Sequence, residues 1–371
     1  MADQENLFAD FSASSKEDWL TKVAAELKGK ALTSLDWSLN ELDLQPFFQR
    51  TDLDGKDQQI ALRQSNNNWK IGEDIIVSDP KNTNKILLDA LANGVDAPTL
   101  RIGEKSTQED LGELLAEIRL DFIEAFYHCS NGEAAVQFGQ LLTHHLTQQK
   151  IMPATLRGGI FATTTIQNGA QLKQLHTQFP NFQLLRIQIT ATGNLVADLA
   201  QGMWQASKLL RQWTALGWSA DKINQILQFS VEVEKNYFAE IAKIRALKLL
   251  WANVLKAFGA AQIEHIYIEA RLAAQSQSEN ENQNMISATT QSMSAALAGV
   301  NCLNVLPADH FSGTERPFTK RIARNVQHLL KMESYLDQVL DPAAGSYYVE
   351  HLTQALFEGA WKQFVALDEK G

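Results

Sequence analysis

Charged side chains at helical spacing are the first candidates for chemistry in this chain. Arg321, Arg324 and His328 fall on one face of a predicted amphipathic helix, and residues 321–325 read RIARN. An arginine can bind a carboxylate or a phosphate through two parallel hydrogen bonds. Two arginines on a helix are, however, more often part of a solvated face. Their role therefore depends on the elements around them.

The histidines are weaker candidates. His128 follows a predicted strand, at the end of a parallel sheet where barrel enzymes carry catalytic residues. An ordinary hydrogen-bonded loop histidine is the simpler interpretation. His144 and His145 lie within a predicted helix at 133–148. The sequence contains no Ser-His-Asp spacing, nucleophile elbow, P-loop or GxGxxG fingerprint, so no standard catalytic motif is predicted.

Composition limits the classes of function. Lys and Arg total 33 against 43 Asp and Glu, a net charge of −10, which argues against nucleic-acid binding as the main role. Cys129 and Cys302 are too few for a disulfide framework and have no metal-ligand spacing, so no metal site is predicted. Residues 1–11 are polar and acidic, and no run of 18 apolar residues occurs. We therefore predict a cytoplasmic protein without a membrane span.

Short apolar segments alternate with helical ones from residue 69 onward. The predicted strands cover residues 74–77, 99–102, 122–127, 155–161, 184–190, 263–269 and 301–305. An eighth strand is predicted near 336–340. Repeated strand–helix alternation favours an α/β fold with a parallel sheet, and this length favours a closed (β/α)8 TIM barrel. An open, doubly wound sheet is the alternative.

Two further segments carry predictions of their own. The clearest helix covers residues 235–258, with one apolar stripe and with Lys243 and Lys248 interpreted as part of a solvated face. Residues 275–284 are polar and low in complexity. They predict a mobile loop before a helix at 286–297.

Residues 1–68 form a separate region, predicted to contain a short helix followed by an extended arm. Its aromatic residues include Trp19, Phe47 and Phe48, and no local period buries them. Exposed apolar surface commonly marks interaction sites, so we predict that these side chains contact a second chain. Packing on the chain's own barrel, at residues 69–371, is the alternative.

Segments near the C-terminus resemble the signature of the adenosylcobalamin-dependent acyl-CoA mutases, the methylmalonyl-CoA mutase family. They are residues 321–325 (RIARN), residues 341–350 (DPAAGSYYVE) and a third block at 238–252. The resemblance implies a structural role for Arg321, Arg324, Asn325, Glu333, Asp341, Pro342, Gly345, Ser346, Tyr347 and Tyr348. Pro342 and Gly345 punctuate a turn, and Ser346 is predicted to cap the following helix. Met332 and Gln338 depart from the family pattern, which has an acidic or amide residue and a basic residue there.

The resemblance also implies which residues are missing. Catalytic members carry a Tyr-His pair just after the barrel strand that corresponds to 184–190, where residues 191–194 read ATGN. The family's cobalamin-binding Asp-x-His-x-x-Gly motif has no match, because residues 309–313 (DHFSG) lack the residue between Asp and His. We therefore expect no catalytic residue, no cofactor and no cobalamin-binding domain on this chain.

The function that follows from the resemblance is that of a small, non-catalytic subunit of a heterodimeric methylmalonyl-CoA mutase, an isomerase of propionate metabolism. Its partner is then the large subunit, which carries adenosylcobalamin; in the absence of that subunit, self-association is the alternative. Arg271 matches by position an arginine that helps to hold CoA in catalytic members, and it predicts at most a vestigial substrate site. An active mutase for another acyl-CoA and a non-enzymatic ligand-binding barrel are the alternative functions.

Overall fold

The computed structural model describes residues 14–39, 42–53, 66–103, 106–163, 168–313 and 315–370. The strands within them are β1 (Trp37–Leu39), β2 (Leu42–Leu44), β3 (Lys70–Ile76), β4 (Ala97–Arg101), β5 (Glu124–Cys129), β6 (Arg157–Ala162), β7 (Phe182–Gln183), β8 (Leu185–Ile189), β9 (Leu227–Val233), β10 (Tyr267–Leu272) and β11 (Cys302–Asn304).

The α-helices are α1 (Lys16–Glu26), α2 (Pro80–Ala92), α3 (Gln108–Leu114), α4 (Gly132–Gln148), α5 (Gly169–Gln178), α6 (Leu195–Ala215), α7 (Ala220–Gln225), α8 (Tyr237–Ala257), α9 (Glu281–Leu297), α10 (Pro317–Met332) and α11 (Tyr347–Asp368). None of these described helices is both long enough and apolar enough to cross a membrane.

The main sheet is parallel and closes into a barrel. Its strand order is β7-β6-β5-β4-β3-β11-β10-β9-β8. Only Leu184 separates β7 from β8, so one segment of chain pairs with β6 through its first part and with β9 through its second. Nine strands thus occupy eight barrel positions, and the predicted (β/α)8 fold is confirmed.

The predicted eighth strand near 336–340 is wrong. Leu336–Gln338 form a 3-10 turn between α10 and α11, and the strand that completes the barrel is β9. Its residues alternate: Phe229 packs outward on a helix, while Gln228 and Ser230 hydrogen-bond within the barrel. The sequence prediction missed this alternation because a short half-apolar run, taken alone, is hard to distinguish from a helical segment.

Helix α8 is more deeply buried than its sequence indicated. It packs against α6, α9 and α11. Lys243 is fully buried and forms an ion pair with Glu240. Lys248 donates to the carbonyl oxygens of Ala298 and Gly299 at 2.8 and 2.7 Å. The prediction of a solvated face is therefore wrong for both lysines, whose buried ammonium groups are stabilised by these partners.

Helix α9 begins at Glu281, not at residue 286, so part of the predicted loop at 275–284 is helical. Asn280 caps the helix, since its side chain accepts from the third backbone N–H of the first turn. Asn284 ties this turn to the loop after β11 by donating to the carbonyl oxygen of Ala308 at 2.8 Å. The asparagines that lowered the sequence complexity thus act as capping and bridging groups.

The N-terminal arm packs partly on the chain's own barrel. Phe48 is buried, and its ring stacks on His351 of α11 with centroids 4.0 Å apart. Trp19 stacks on Phe47 at 4.7 Å, and Phe47 remains 37% exposed. The predicted partner contact is therefore corrected for Phe48, which α11 covers, and stays a prediction for the Trp19–Phe47 pair.

Candidate functional site

A network of charged and amide side chains fills the barrel interior around one carboxylate. Glu269, on β10, is buried and accepts from Arg271 Nη1 at 2.7 Å and from Arg186 Nη2 at 3.1 Å. Gln228 and Asn304 donate to the same carboxylate at 3.0 and 3.2 Å. Donors from the four strands β8 to β11 therefore converge on Glu269.

Pairing keeps this buried network ionised. Burial alone would raise the pKa of the Glu269 carboxyl, but the Arg271 and Arg186 guanidinium groups hold that pKa well below its usual range. Burial would lower the pKa of Arg271, whereas Glu269 and Asp74 raise it. A buried charge is tolerated when its partner and hydrogen bonds offset the loss of water, and both conditions are met here.

Aromatic rings pack beside the network within the barrel. Phe126 and Phe161 are buried, with ring centroids 6.1 Å apart, and the ring of Tyr267 lies 6.0 Å from that of Phe126. The charged network and these rings lie between a cavity at the carboxyl ends of the strands and a second cavity at the amino ends. The described interior is therefore a packed core, as is usual for this fold.

The cavity at the carboxyl ends, called here the upper cavity, has a volume of about 540 Å³. Its lining includes Asp74, Thr99, Arg101, His128, Arg186 and His310. Its size suits a small molecule, and its position is the one at which barrel enzymes carry their active sites. It is therefore the candidate functional site of this chain.

Two histidines border the upper cavity. His128 lies inside β5, and burial, with Arg186 nearby, lowers its pKa to about 4, so that the ring is neutral at pH 7. His310 bonds to Glu315 at 2.7 Å, and that hydrogen bond raises the pKa of the imidazole. Within the described ranges, neither histidine is hydrogen-bonded to a hydroxyl or a thiol. The described part of the site therefore shows no nucleophile–base pair of the kind that covalent catalysis uses.

Arg271 is already engaged by protein carboxylates. Its side chain is 15% exposed, and its two terminal nitrogens donate to Glu269 and Asp74. Its predicted part in holding CoA stays a prediction.

Sequence reasoning missed Glu269 and Arg186; the signal that could have found them is the alternation of charged and apolar residues within β8 and β10.

A buried arginine anchors the second signature segment. Arg245, on α8, pairs with Asp341 and with Glu350, the latter at 2.7 Å, and its side chain is 3% exposed. The Glu350 carboxylate also accepts from the backbone N–H of Gly345 at 3.1 Å. One guanidinium group thus joins residues 341–350 to the third matching block, residues 238–252.

The turn before α11 departs from the prediction in one respect. Gly345 has a φ of +81°, a left-handed conformation that favours glycine after the exposed Pro342. Ser346 stands at the N-cap position, but its side chain makes no capping hydrogen bond, so the predicted cap is wrong. Tyr347 is exposed, whereas Tyr348 lies half-buried against the N-terminal arm. The segment therefore turns the chain and joins the arm to α11.

The first signature segment contains one buried and one exposed arginine. Arg324 donates to Glu73 of β3 through Nη2 at 3.1 Å and to Asp89 of α2 through Nη1 at 3.0 Å. Arg324 therefore ties α10 to β3, the first strand of the barrel, and to α2, the helix that follows β3. The exposed signature residues on and after this helix are Arg321, Asn325 and Glu333.

Comparisons with known proteins agree with the signature. The family model of methylmalonyl-CoA mutase matches residues 170–371. The chain is 29% identical to the methylmalonyl-CoA mutase small subunit of Porphyromonas gingivalis, over 100% of this chain and 65% of that protein. It is 28% identical to the small subunit of Streptomyces virginiae, over 81% of this chain and 52% of that protein. This chain belongs to the methylmalonyl-CoA mutase family.

The chain spans between half and two thirds of the length of these curated relatives. Among solved structures, the dihydropteroate synthase of Thermus thermophilus matches with a TM-score of 0.40 and 12% identity. That match covers 71% of this chain and 94% of the other, and it carries no information about function.

In this mutase-family barrel, polar groups of residues 191–194, the segment after β8, are hydrogen-bonded to other groups of the chain. The backbone N–H of Ala191 donates to Glu232 at 3.0 Å, and the Thr192 hydroxyl donates to Asp198 at 2.6 Å. Asn194 caps α6. These residues stand at the position of the Tyr-His pair of catalytic members. Ala191 is tied to β9 and to Gln275, whose side chain donates to its carbonyl oxygen, whereas Thr192 bonds within the start of α6.

Residues 309–313 also make local contacts. Asp309 accepts from the backbone N–H and Nε of Arg316, both at 3.0 Å, and from the Thr319 hydroxyl at 2.6 Å. His310, the adjacent histidine, is held by a carboxylate. The bond to Glu315 engages only the Nδ1 atom of His310, and the absence of a cofactor from this chain stays a prediction.

We expect Arg324→Met to destabilise the protein by about 3–5 kcal/mol, because it leaves Glu73 without its buried partner. Arg321→Met is the matched control: it lies on the same helix but is exposed, and it should change the free energy of unfolding by no more than about 0.5 kcal/mol. Urea denaturation of both variants measures the difference. If both variants lose the same free energy of unfolding, the buried ion pair of Arg324 with Glu73 does not stabilise the barrel.

Acid should destabilise the protein partly through His128. Its pKa is about 4 in the folded chain and about 6.5 when unfolded, so between these values only the unfolded state takes up the proton. Stability is therefore lost as pH falls below 6.5, by about 2 kcal/mol at pH 5 from this group. His128→Gln should remove that part of the loss, as measured by urea denaturation at pH 7, 6 and 5. If the free energy of unfolding falls with pH equally in parent and variant, burial does not keep the His128 ring neutral.

Proposed function

We infer that this chain is the small subunit of a heterodimeric, cytoplasmic, adenosylcobalamin-dependent methylmalonyl-CoA mutase and that its role is structural. In that enzyme the large subunit carries the adenosylcobalamin and interconverts methylmalonyl-CoA and succinyl-CoA. The names of the relatives support the subunit assignment. Family membership, stated above, supports a role in an isomerase.

The occupied barrel interior is the observation that carries the structural role. A cofactor-dependent rearrangement needs protein groups that grip the substrate and a site that can exclude water. In this chain Glu269 and its four donors occupy the barrel interior, and Ala191 and Thr192 are held by hydrogen bonds to Glu232 and Asp198. Glu269, Gln228, Arg271 and Asn304 are committed to one another in this way and are not available to hold an acyl thioester.

The N-terminal arm supports a partner contact. Helix α1 has 11 residues and buries none of them in this chain. An isolated helix of that length is marginal in water, and most helical stability in proteins comes from packing. The Trp19–Phe47 stack on its surface offers a large aromatic contact of the kind that dominates many interfaces. We therefore assign α1 and this stack to the contact with the large subunit.

The isolated chain should have no mutase activity. Supplied with adenosylcobalamin and methylmalonyl-CoA, it should form no succinyl-CoA, because losing even one transition-state contact typically costs about 10²–10³ in rate. Mixed with the large subunit, the preparation should turn over at roughly 1–10³ per second. The large subunit alone is the control for the contribution of this chain. Turnover in that range by the isolated chain would overturn the non-catalytic role.

Replacing Trp19 and Phe47 together by alanine should weaken association with the large subunit at least about tenfold, since buried aromatic anchors commonly contribute more than 1 kcal/mol each. Phe122→Ala is the control, because Phe122 is 73% exposed and lies in the 3-10 turn before β5, outside the arm. Affinities are measured by surface-immobilised binding, with circular dichroism to check folding. If all three proteins bind equally well, the arm is not the contact.

A further inference from the structure

We propose that the upper cavity binds a small free oxyanion, a carboxylate or a phosphate, through Thr99, Arg101 and Arg186. The inference goes beyond the subunit role and does not rest on it, because it concerns this chain alone.

The Thr99 hydroxyl is the first observation. Thr99 lies on β4, lines the upper cavity and is 2% exposed. Its Oγ1 atom is buried and has no hydrogen-bond partner. A buried polar group without a partner is costly and needs an explanation, and a ligand is one of the few available. A ligand oxygen in the cavity would accept this hydrogen bond.

Arg186 supplies the second unsatisfied donor. Both of its hydrogen bonds, to Ser230 at 2.6 Å and to Glu269 at 3.1 Å, come from Nη2. Its Nε atom is buried and has no partner. A guanidinium group has five N–H donors, so the fork of Arg186 is only partly used by the protein. An oxyanion can occupy the remaining edge.

Arg101 supplies charge at the cavity mouth. Its side chain is 63% exposed, and Asp74 lies 3.6 Å away, which is longer than a hydrogen bond. It sits directly across the sheet from His128, in register between β4 and β5, and both side chains line the cavity. Arginine binds carboxylates and phosphates through paired, charge-assisted hydrogen bonds.

The carboxylates around the cavity already have partners within the protein. Asp74 and Glu269 both pair with Arg271, and Glu232 accepts from the backbone N–H of Ala191. Among the described arginines that line the cavity, Arg101 therefore has the longest ion pair, at 3.6 Å from Asp74. The site that remains between β4, β5 and β8 has donors that lack acceptors, which fits an anion.

Size limits the ligand to a small molecule. The cavity volume of about 540 Å³ lies within the range for small-molecule sites. The Glu269 network and the buried Phe126 and Phe161 rings lie beneath it, so a long ligand has no path through the described barrel. We therefore expect a free anion without a carrier chain.

Isothermal titration calorimetry on the purified chain tests the proposal with three probes: inorganic phosphate, succinate and CoA. We expect saturable, one-site binding of phosphate or of succinate; the probe that binds identifies the anion. Arg101→Gln should weaken it at least about tenfold, because a hydrogen bond to a charged group is involved. Arg157→Gln is the matched control, an exposed arginine at the amino end of the barrel, and it should bind like the parent.

Thr99→Val gives a second, independent measurement. It replaces the hydroxyl by a methyl group of similar size, so it should weaken the anion severalfold. It should leave the melting temperature of the ligand-free protein unchanged or raised, since no protein hydrogen bond is lost.

Three results would overturn the proposal. They are the absence of saturable binding of either anion to the folded parent chain, equal affinity loss in Arg157→Gln and Arg101→Gln, and binding of CoA more than about tenfold tighter than both small anions. The last result would identify the carrier, not a free oxyanion, as the ligand.

Discussion

A carboxylate at the centre of a barrel has to be paired, and much of this interior follows from that requirement. Glu269 is satisfied by Arg186, Gln228, Arg271 and Asn304, one from each of four neighbouring strands. Removing one partner of a buried ion pair typically costs about 3–5 kcal/mol, because it leaves an uncompensated charge. The pairing therefore fixes the strands in register and fills the space along the barrel axis.

The same requirement organises the outer layer of helices. Arg245 and Arg324 are both buried guanidinium groups, and each meets two carboxylates from other elements. Arg324 joins α10 to β3, the first strand of the barrel, and Arg245 holds the turn before α11. Two buried arginines and the carboxylates they meet thus join the signature segments to the rest of the barrel.

The sequence predicted the elements of the fold better than its interactions. Most strands and helices were recognised, because their periodicity is a local property. The pairing of Lys243 with Glu240 and the burial of Lys248 were missed, since a lysine on an amphipathic helix has the same sequence pattern whether water or a second helix lies beside it. Glu269 and Arg186 were missed for a related reason: their partners are distant in sequence, and single-sequence patterns do not reveal which charged residues meet.

The proposed anion site rests on hydrogen-bond donors of the upper cavity that the described protein groups leave without acceptors. The interior offers acceptors nearby, since Asp74 and Glu232 line the same cavity as Thr99 and Arg186. Glu269 draws four donors, yet Thr99 Oγ1 and Arg186 Nε have none of these oxygens as a partner. A valine could fill the position of Thr99 without leaving a buried donor unpaired. Donors kept buried, unpaired and next to an open volume are better explained by an acceptor that arrives from solvent.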